Sequence, residues 1–108
     1  MTEHAVRSKS GASRLEENAK KIAELLKVLA NENRLLILCA LMEGPRTVSG
    51  LCEKIPSITQ SALSQHLALL KAHGILDCVK SGQNVTYSIE DRRVEEIMAV
   101  VRRLYCEI

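Results

Sequence analysis

Two closely spaced helical segments followed by two strand-like segments are the pattern that most constrains this chain. Thr47 can cap the first helical segment, residues 48–55, which ends at a proline. Ser57 or Thr59 can cap the second segment, which runs to about residue 72. Strand-like segments at 75–80 and 84–89 follow, and a Ser-Gly-Gln turn separates them. This succession predicts a helix-turn-helix motif with a β-hairpin wing.

Helical periodicity dominates the rest of the chain. Residues 15–29 carry one apolar stripe, residues 34–42 are apolar on nearly every side, and Asp91 can cap a last helix from Arg92 to about Tyr105. We therefore expect a mainly α fold with a β-hairpin, in the order α-α-α-α-β-β-α. Residues 1–12 are polar and are predicted to be a flexible tail, which leaves residues 13–108 as the DNA-binding and dimerisation domain.

The composition excludes several classes of protein. There is no Phe or Trp, which disfavours a β-sandwich and modules that stack single-stranded bases on aromatic rings. None of the four cysteines forms a Cys-x-x-Cys pair, so we expect no catalytic residues, no cofactor and no resident metal. No signal peptide precedes the domain, so we expect a cytoplasmic protein. A net charge of +2 is too small to indicate nucleic acid by itself.

The second helix of the pair is suited to reading duplex DNA. Leu63, Leu67 and Leu70 form its buried stripe, and amides and hydroxyls that can contact bases or phosphates occupy the other side. His66 lies within this helix, where it either contacts DNA or bonds the backbone as a structural histidine. The predicted DNA contacts, including basic and wing-tip residues, are Thr59, Gln60, Ser61, Ser64, Gln65, His66, Lys71, Lys80, Gln83 and Asn84.

Three stretches resemble the ArsR/SmtB family of small dimeric winged-helix repressors. LLKVLANENRLLIL at 25–38 is similar to the family's opening signature, and SALSQHLALLKAHGIL at 61–76 is similar to its recognition helix. GQNVTYSI at 82–89 resembles the wing, and the similarity covers about residues 15–106. The resemblance implies binding to double-stranded operator DNA as a homodimer.

The sequence departs from the metal-sensing members of that family. Thr47 and Ser49 stand where the arsenic- and cadmium-sensing type has two cysteines. The zinc-sensing type has a histidine two residues after an aspartate at the start of its last helix, but here Asp91 is followed by Arg93 and no histidine occurs after His73. Both of the family's metal sites are therefore incomplete.

Two of the cysteines resemble those of the BigR/SqrR branch. The resemblance implies that reactive sulfur species, such as persulfide or polysulfide, or oxidants link Cys39 and Cys106, and that the link lowers DNA affinity and ends repression. On an α-helical wheel Cys106 falls away from the apolar stripe of the last helix, so we expect it to be the more accessible thiol. The sequence leaves three alternatives open: a metal-responsive repressor with a non-standard thiolate site, a small thiol oxidoreductase, and a protein-interaction module.

The first and last helices are predicted to form a twofold dimer interface. Each carries an apolar stripe that has no partner left in so small a core. A twofold dimer presents its two recognition helices to half-sites about 34 Å apart. The predicted interface residues are Leu15, Ala19, Ile22, Ile97, Val101 and Leu104.

Overall fold

The structure, a computed structural model, describes the backbone of residues 2–106 and the side chains of residues 13–105. Two compact units make up the chain, residues 1–31 and 32–108. The first unit contains one helix, α1, Thr2–Leu29. The prediction of a flexible tail at 1–12 concerns residues whose side chains lie outside the described residues, and that boundary stays a prediction.

The second unit contains the predicted helix-turn-helix and wing. Its elements are α2 Glu32–Met42, β1 Arg46–Thr47, α3 Val48–Lys54, α4 Gln60–Ala72, β2 Leu76–Ser81, β3 Asn84–Ile89 and α5 Arg92–Val101, with a π-helical turn at Arg102–Cys106. The predicted order α-α-α-α-β-β-α is confirmed. Two features were not predicted: the short strand β1 between α2 and α3, and the π-helical turn after α5.

The strands form an antiparallel sheet in the order β1-β3-β2. Ser81 pairs with Asn84, so Gly82 and Gln83 form a two-residue hairpin loop. Gly82 has a φ of +62°, and this left-handed backbone favours glycine in a tight hairpin turn. β1 adds only two residues to the sheet, with Arg46 opposite Tyr87 and Thr47 opposite Thr86.

Aliphatic side chains alone fill the centre of the second unit. Helices α2, α3, α4 and α5 and the start of the hairpin each contribute, so the core joins all parts of the helix-turn-helix and wing. No aromatic ring is among them, in keeping with the absence of Phe and Trp from the sequence. The most deeply buried side chains are Ile37, Leu38, Leu51, Leu63, Leu67, Leu70, Ile75, Val94 and Met98.

Side-chain caps set where three of the helices begin. The Thr47 hydroxyl accepts a hydrogen bond from the Gly50 amide at 3.0 Å, and the Thr59 hydroxyl accepts one from the Ala62 amide at 3.1 Å. Asp91 caps α5 in the same way. Thr47 and Asp91 are the predicted caps, and Thr59 is one of the two candidates predicted for α4. All three satisfy amides that have no partner within the helix.

Thr59→Ala is expected to lower the free energy of unfolding by about 1 kcal/mol, because the Ala62 amide at the start of α4 loses its acceptor. Urea denaturation followed by circular dichroism measures the change. Thr59→Ser keeps the hydroxyl and serves as the control, with an expected change of less than half as much. A loss of equal size in both variants would contradict a capping role for the hydroxyl.

Candidate nucleic-acid interface and thiol pocket

Helix α4 is held by one face and exposed on the other. Leu63, Leu67 and Leu70 are buried, which anchors the helix in the core. Thirteen residues make a rod of about 20 Å at 1.5 Å per residue, a length that can lie in the major groove of DNA. The exposed residues among the predicted contacts on this helix and its cap are Thr59, Gln60, Ser61, Ser64, Gln65 and Lys71.

His66 differs from its neighbours on α4 because it is half-buried. The polar residues at the cap and in the first turns of α4 are exposed, whereas His66 lies at the boundary between those residues and the buried leucine stripe. This position agrees with either of the roles considered for it, and the predicted DNA contact at His66 stays a prediction.

Lys71 connects the recognition helix to the wing. Its ammonium group lies near the Cys78 side chain on β2, and interaction with that side chain is the main reason that the pKa of Lys71 is raised. Lys71 therefore stays protonated at neutral pH. No sequence signal could have revealed this contact, because it depends on how β2 packs against α4.

The wing tip exposes the remaining predicted contacts. Lys80, Gln83 and Asn84 all lie at or next to the hairpin loop, and all are exposed. An exposed lysine and two exposed amides at the end of a rigid hairpin are the side chains that commonly contact phosphate or groove edges.

Cys39 lies on α2 where two cavities meet. It is half-buried and lines an apolar cavity of about 280 Å³ together with Leu36, Val101 and Tyr105. The same cysteine lines a second cavity of about 380 Å³, which has charged residues in its wall. Both cavities bring residues after Met98 next to α2, so Cys39 faces the end of the chain that carries Cys106.

The described backbone includes Cys106, but its side chain lies outside the described residues. Cys106 is the last residue of the π-helical turn Arg102–Cys106. The helical-wheel position predicted for Cys106 assumes that α-helical geometry continues to about Tyr105. That assumption is wrong, because α5 ends at Val101 and a π-helical turn follows. Cys52 and Cys78 are described and half-buried.

The charged wall of the larger cavity is organised around Glu43. The Lys54 ammonium lies 3.0 Å from a Glu43 carboxylate oxygen, and the Arg46 guanidinium binds the same oxygen. These two cations, Lys54 first, hold the pKa of Glu43 below its ordinary value, so the carboxylate is charged at neutral pH. Arg102, half-buried at the start of the π-helical turn, also lines this cavity.

The predicted dimer residues are exposed to different degrees. On α1, Leu15 is 69% exposed, and Ala19 and Ile22 are exposed as well. In the second unit Leu104 is 61% exposed, whereas Ile97 and Val101 are half-buried. Large exposed aliphatic side chains at both places leave apolar surface for a partner to cover.

No group of three or more His, Cys, Asp or Glu side chains within residues 13–105 has an arrangement that would hold a metal ion. No described helix is long and apolar enough to cross a membrane.

Comparison with known proteins identifies close relatives. The family described as "Bacterial regulatory protein, arsR family" matches residues 31–77. The chain is 37% identical to the HTH-type transcriptional regulator YgaV of Escherichia coli, over 87% of this chain and 95% of that protein. It is 40% identical to the transcriptional activator HlyU of Vibrio cholerae, over 86% of this chain and 85% of that protein.

Solved structures match the fold over nearly the same region. Reduced HlyU from Vibrio cholerae superposes with a TM-score of 0.82, covering 87% of this chain and 98% of that one at 39% identity. The transcriptional repressor BigR from Xylella fastidiosa superposes with a TM-score of 0.80, covering 90% of this chain and 98% of that one at 28% identity. These relatives are regulators of transcription rather than enzymes.

Proposed function

Since this chain belongs to the arsR family of winged-helix, DNA-binding transcriptional regulators, we propose that it is a repressor whose DNA binding is switched off through Cys39 and Cys106. It binds operator DNA as a homodimer in the cytoplasm, where the chromosome lies. Persulfides, polysulfides or oxidants link the two cysteines and release the DNA. One observation carries this proposal: Cys39 lines a cavity with Val101 and Tyr105, the segment that leads into Cys106.

The exposed polar face of α4 supports the DNA-binding part of the proposal. Its glutamines donate to and accept from base edges, while Lys71 and Lys80 contact phosphates on either side.

The exposed aliphatic residues of α1 and of the chain's end support the homodimer. Leu15 and Leu104 are large apolar side chains, and the described parts of one chain leave both of them mostly exposed to water. A twofold dimer covers them and sets two copies of α4 at half-sites about 34 Å apart.

The π-helical turn supports the pairing of Cys106 with Cys39. A turn with i→i+5 bonding holds one residue more than an α turn, so residue 106 takes the place on the helix that residue 105 would take in a continuous α-helix. That place is four positions after Val101 and seven after Met98, the face of α5 that packs towards the core. By this register the backbone of residue 106 lies about one turn after Val101, which lines the cavity with Cys39.

The linking reaction needs only a persulfide, R–S–SH. A cysteine thiolate attacks the outer sulfur, a new S–S bond forms, the donor's S–S bond breaks, and R–S⁻ leaves. The second cysteine thiol attacks the inner sulfur of the resulting Cys–S–SH, so that Cys–S–S–Cys forms and H₂S leaves. The transferred sulfur is reduced to sulfide while the two cysteine sulfurs are oxidised to the disulfide. Two Cys–S–SH groups would instead give a trisulfide and H₂S.

Arg46 offers a route from α2 to the wing. Its Nε donates a hydrogen bond to the Ala40 carbonyl at 3.1 Å, and its guanidinium binds Glu43 on the same stretch of chain. Its backbone belongs to β1, where it pairs with Tyr87 of β3. A covalent link that displaces α2 near Cys39 therefore also displaces β1, the strand that pairs with β3 of the wing.

The experiment that tests this function uses duplex DNA selected from a random library by the reduced protein. We expect a persulfide donor to weaken binding at least tenfold by fluorescence anisotropy, and mass spectrometry to find the peptides of Cys39 and Cys106 joined. Zinc(II) or arsenite is expected to change the affinity less than twofold. Release by low concentrations of metal would favour a metal-responsive repressor, and failure to select any DNA would favour an interaction module.

A further inference from the structure

The larger cavity beside Cys39 has the size and lining of a small-molecule site. Its volume of about 380 Å³ lies within the range of roughly 300–1,000 Å³ that is typical of ligand pockets. Leu36, Ile55 and Pro56 provide apolar wall, and the thiol of Cys39 lies on one side. A molecule that enters it comes next to the cysteine proposed to receive sulfur.

Positive charge exceeds negative charge around this cavity. Glu43 is the acidic residue among its described lining, and Lys54 and Arg46 both bind that carboxylate. Arg102 lines the same cavity, and no described carboxylate forms a salt bridge with it. Among the described lining residues, Lys54 and Arg102 against Glu43 leave an excess of one positive charge, and Arg46 adds a cation at the Glu43 carboxylate from outside the lining, so the cavity attracts an anionic ligand.

We infer that this cavity binds the carboxylate end of a small organic persulfide, with Arg102 and Lys54 on the carboxylate and the sulfur end at Cys39. The inference rests on the proposed function and names the class of inducer: persulfides of acidic thiols, in preference to uncharged ones. An arginine guanidinium fits a carboxylate through two parallel hydrogen bonds, and a half-buried arginine loses less of its interaction to water than an exposed one.

The bound donor reacts by the first step described above. The thiolate of Cys39 bonds to the outer sulfur, the donor's S–S bond breaks, and the acidic thiol leaves as R–S⁻ with its carboxylate still in the cavity. Sulfur, hydrogen and charge are conserved in this exchange, and no further oxidant is needed. Cys39 then carries the sulfur that Cys106 displaces as H₂S.

The test compares two donors on the full-length protein. Glutathione persulfide carries carboxylates, whereas the persulfide of 2-mercaptoethanol carries none, and intact-protein mass spectrometry gives the rate at which each adds sulfur to the Cys39 peptide. We expect Arg102→Gln to lower the ratio of the two rates about fivefold. Arg103→Gln, an exposed neighbour outside the described cavity lining, removes the same charge and is expected to leave the ratio unchanged.

A second variant changes the ratio in the opposite direction. Glu43→Gln removes the cavity's negative charge, so the ratio is expected to rise about threefold. An equal fall of both rates in Arg102→Gln would mean that Arg102 acts on the thiol and would overturn the inference, as would an unchanged ratio in Glu43→Gln. If neither donor modifies Cys39 in the wild type, the proposed function itself fails. If both do so at the same rate, only this inference fails.

Discussion

Cys39→Ser is expected to bind DNA with an affinity within about twofold of the wild-type affinity. A persulfide donor, which is expected to weaken DNA binding by the wild type at least tenfold, is expected not to release DNA from this variant. Serine is close to cysteine in size, and residue 39 is half-buried on α2 and is not one of the exposed polar residues of α4, so those side chains are unchanged. Without its thiol, no bond to Cys106 can form, and the coupling of about 5–150-fold that is typical of a regulatory site disappears. Fluorescence anisotropy with the selected DNA, with and without donor, measures both quantities.

Cys106→Ser is expected to behave in the same way, since each cysteine is one half of the link. Cys52→Ser is the matched control, because Cys52 is also half-buried and also lies on a helix of the second unit. It is expected to keep the full response. Release that persists in either Cys39→Ser or Cys106→Ser would show that the proposed pair is wrong.

Leu67→Ala is expected to lower the free energy of unfolding by about 3 kcal/mol. Leu67 has no exposed surface, and truncating a buried leucine loses both its transfer free energy and the contacts around the resulting cavity. A loss of this size is a large part of the roughly 5–15 kcal/mol that stabilises a typical domain. Urea unfolding at one fixed protein concentration measures it, because the apparent stability of the proposed homodimer would depend on concentration.

Leu69→Ala is the matched control for this prediction. It lies two residues away on the same helix and is 38% exposed, so the same truncation is expected to cost less than about 1 kcal/mol. The DNA affinity of Leu69→Ala is expected to stay close to that of the wild type. A loss in Leu69→Ala as large as that in Leu67→Ala would mean that α4 is oriented differently from the described structure.

Local chemistry made most of the fold predictable from the sequence. Three helices begin at predicted caps, Thr47, Thr59 and Asp91. These caps were predictable because a cap needs only an amide two or three positions away. The hairpin was predicted for the same reason, since Gly82 supplies the backbone that a two-residue loop needs. The buried stripe of α4 followed from its spacing alone.

Features that depend on distant contacts were not predictable. β1 has two residues and no strand pattern of its own, and it exists because Arg46 and Thr47 lie beside β3. The π-helical turn was missed because sequence periodicity assumes one residue spacing to the end of a helix. The cavities beside Cys39 arise where α2 meets residues from α3, α5 and the end of the chain, which no local pattern reveals.

The sheet order β1-β3-β2 has a consequence for how the protein avoids aggregation. Among the described strands, β1 and β2 are the edges, and unpaired strand edges can recruit the strands of other molecules and seed fibrous assemblies. β1 is too short to act as a template, and β2, although Val79 on it is 65% exposed, also exposes Asp77 and Lys80. Those two charges would have to lie against an incoming strand, so the hairpin can stay exposed to solvent without pairing with the strands of other copies.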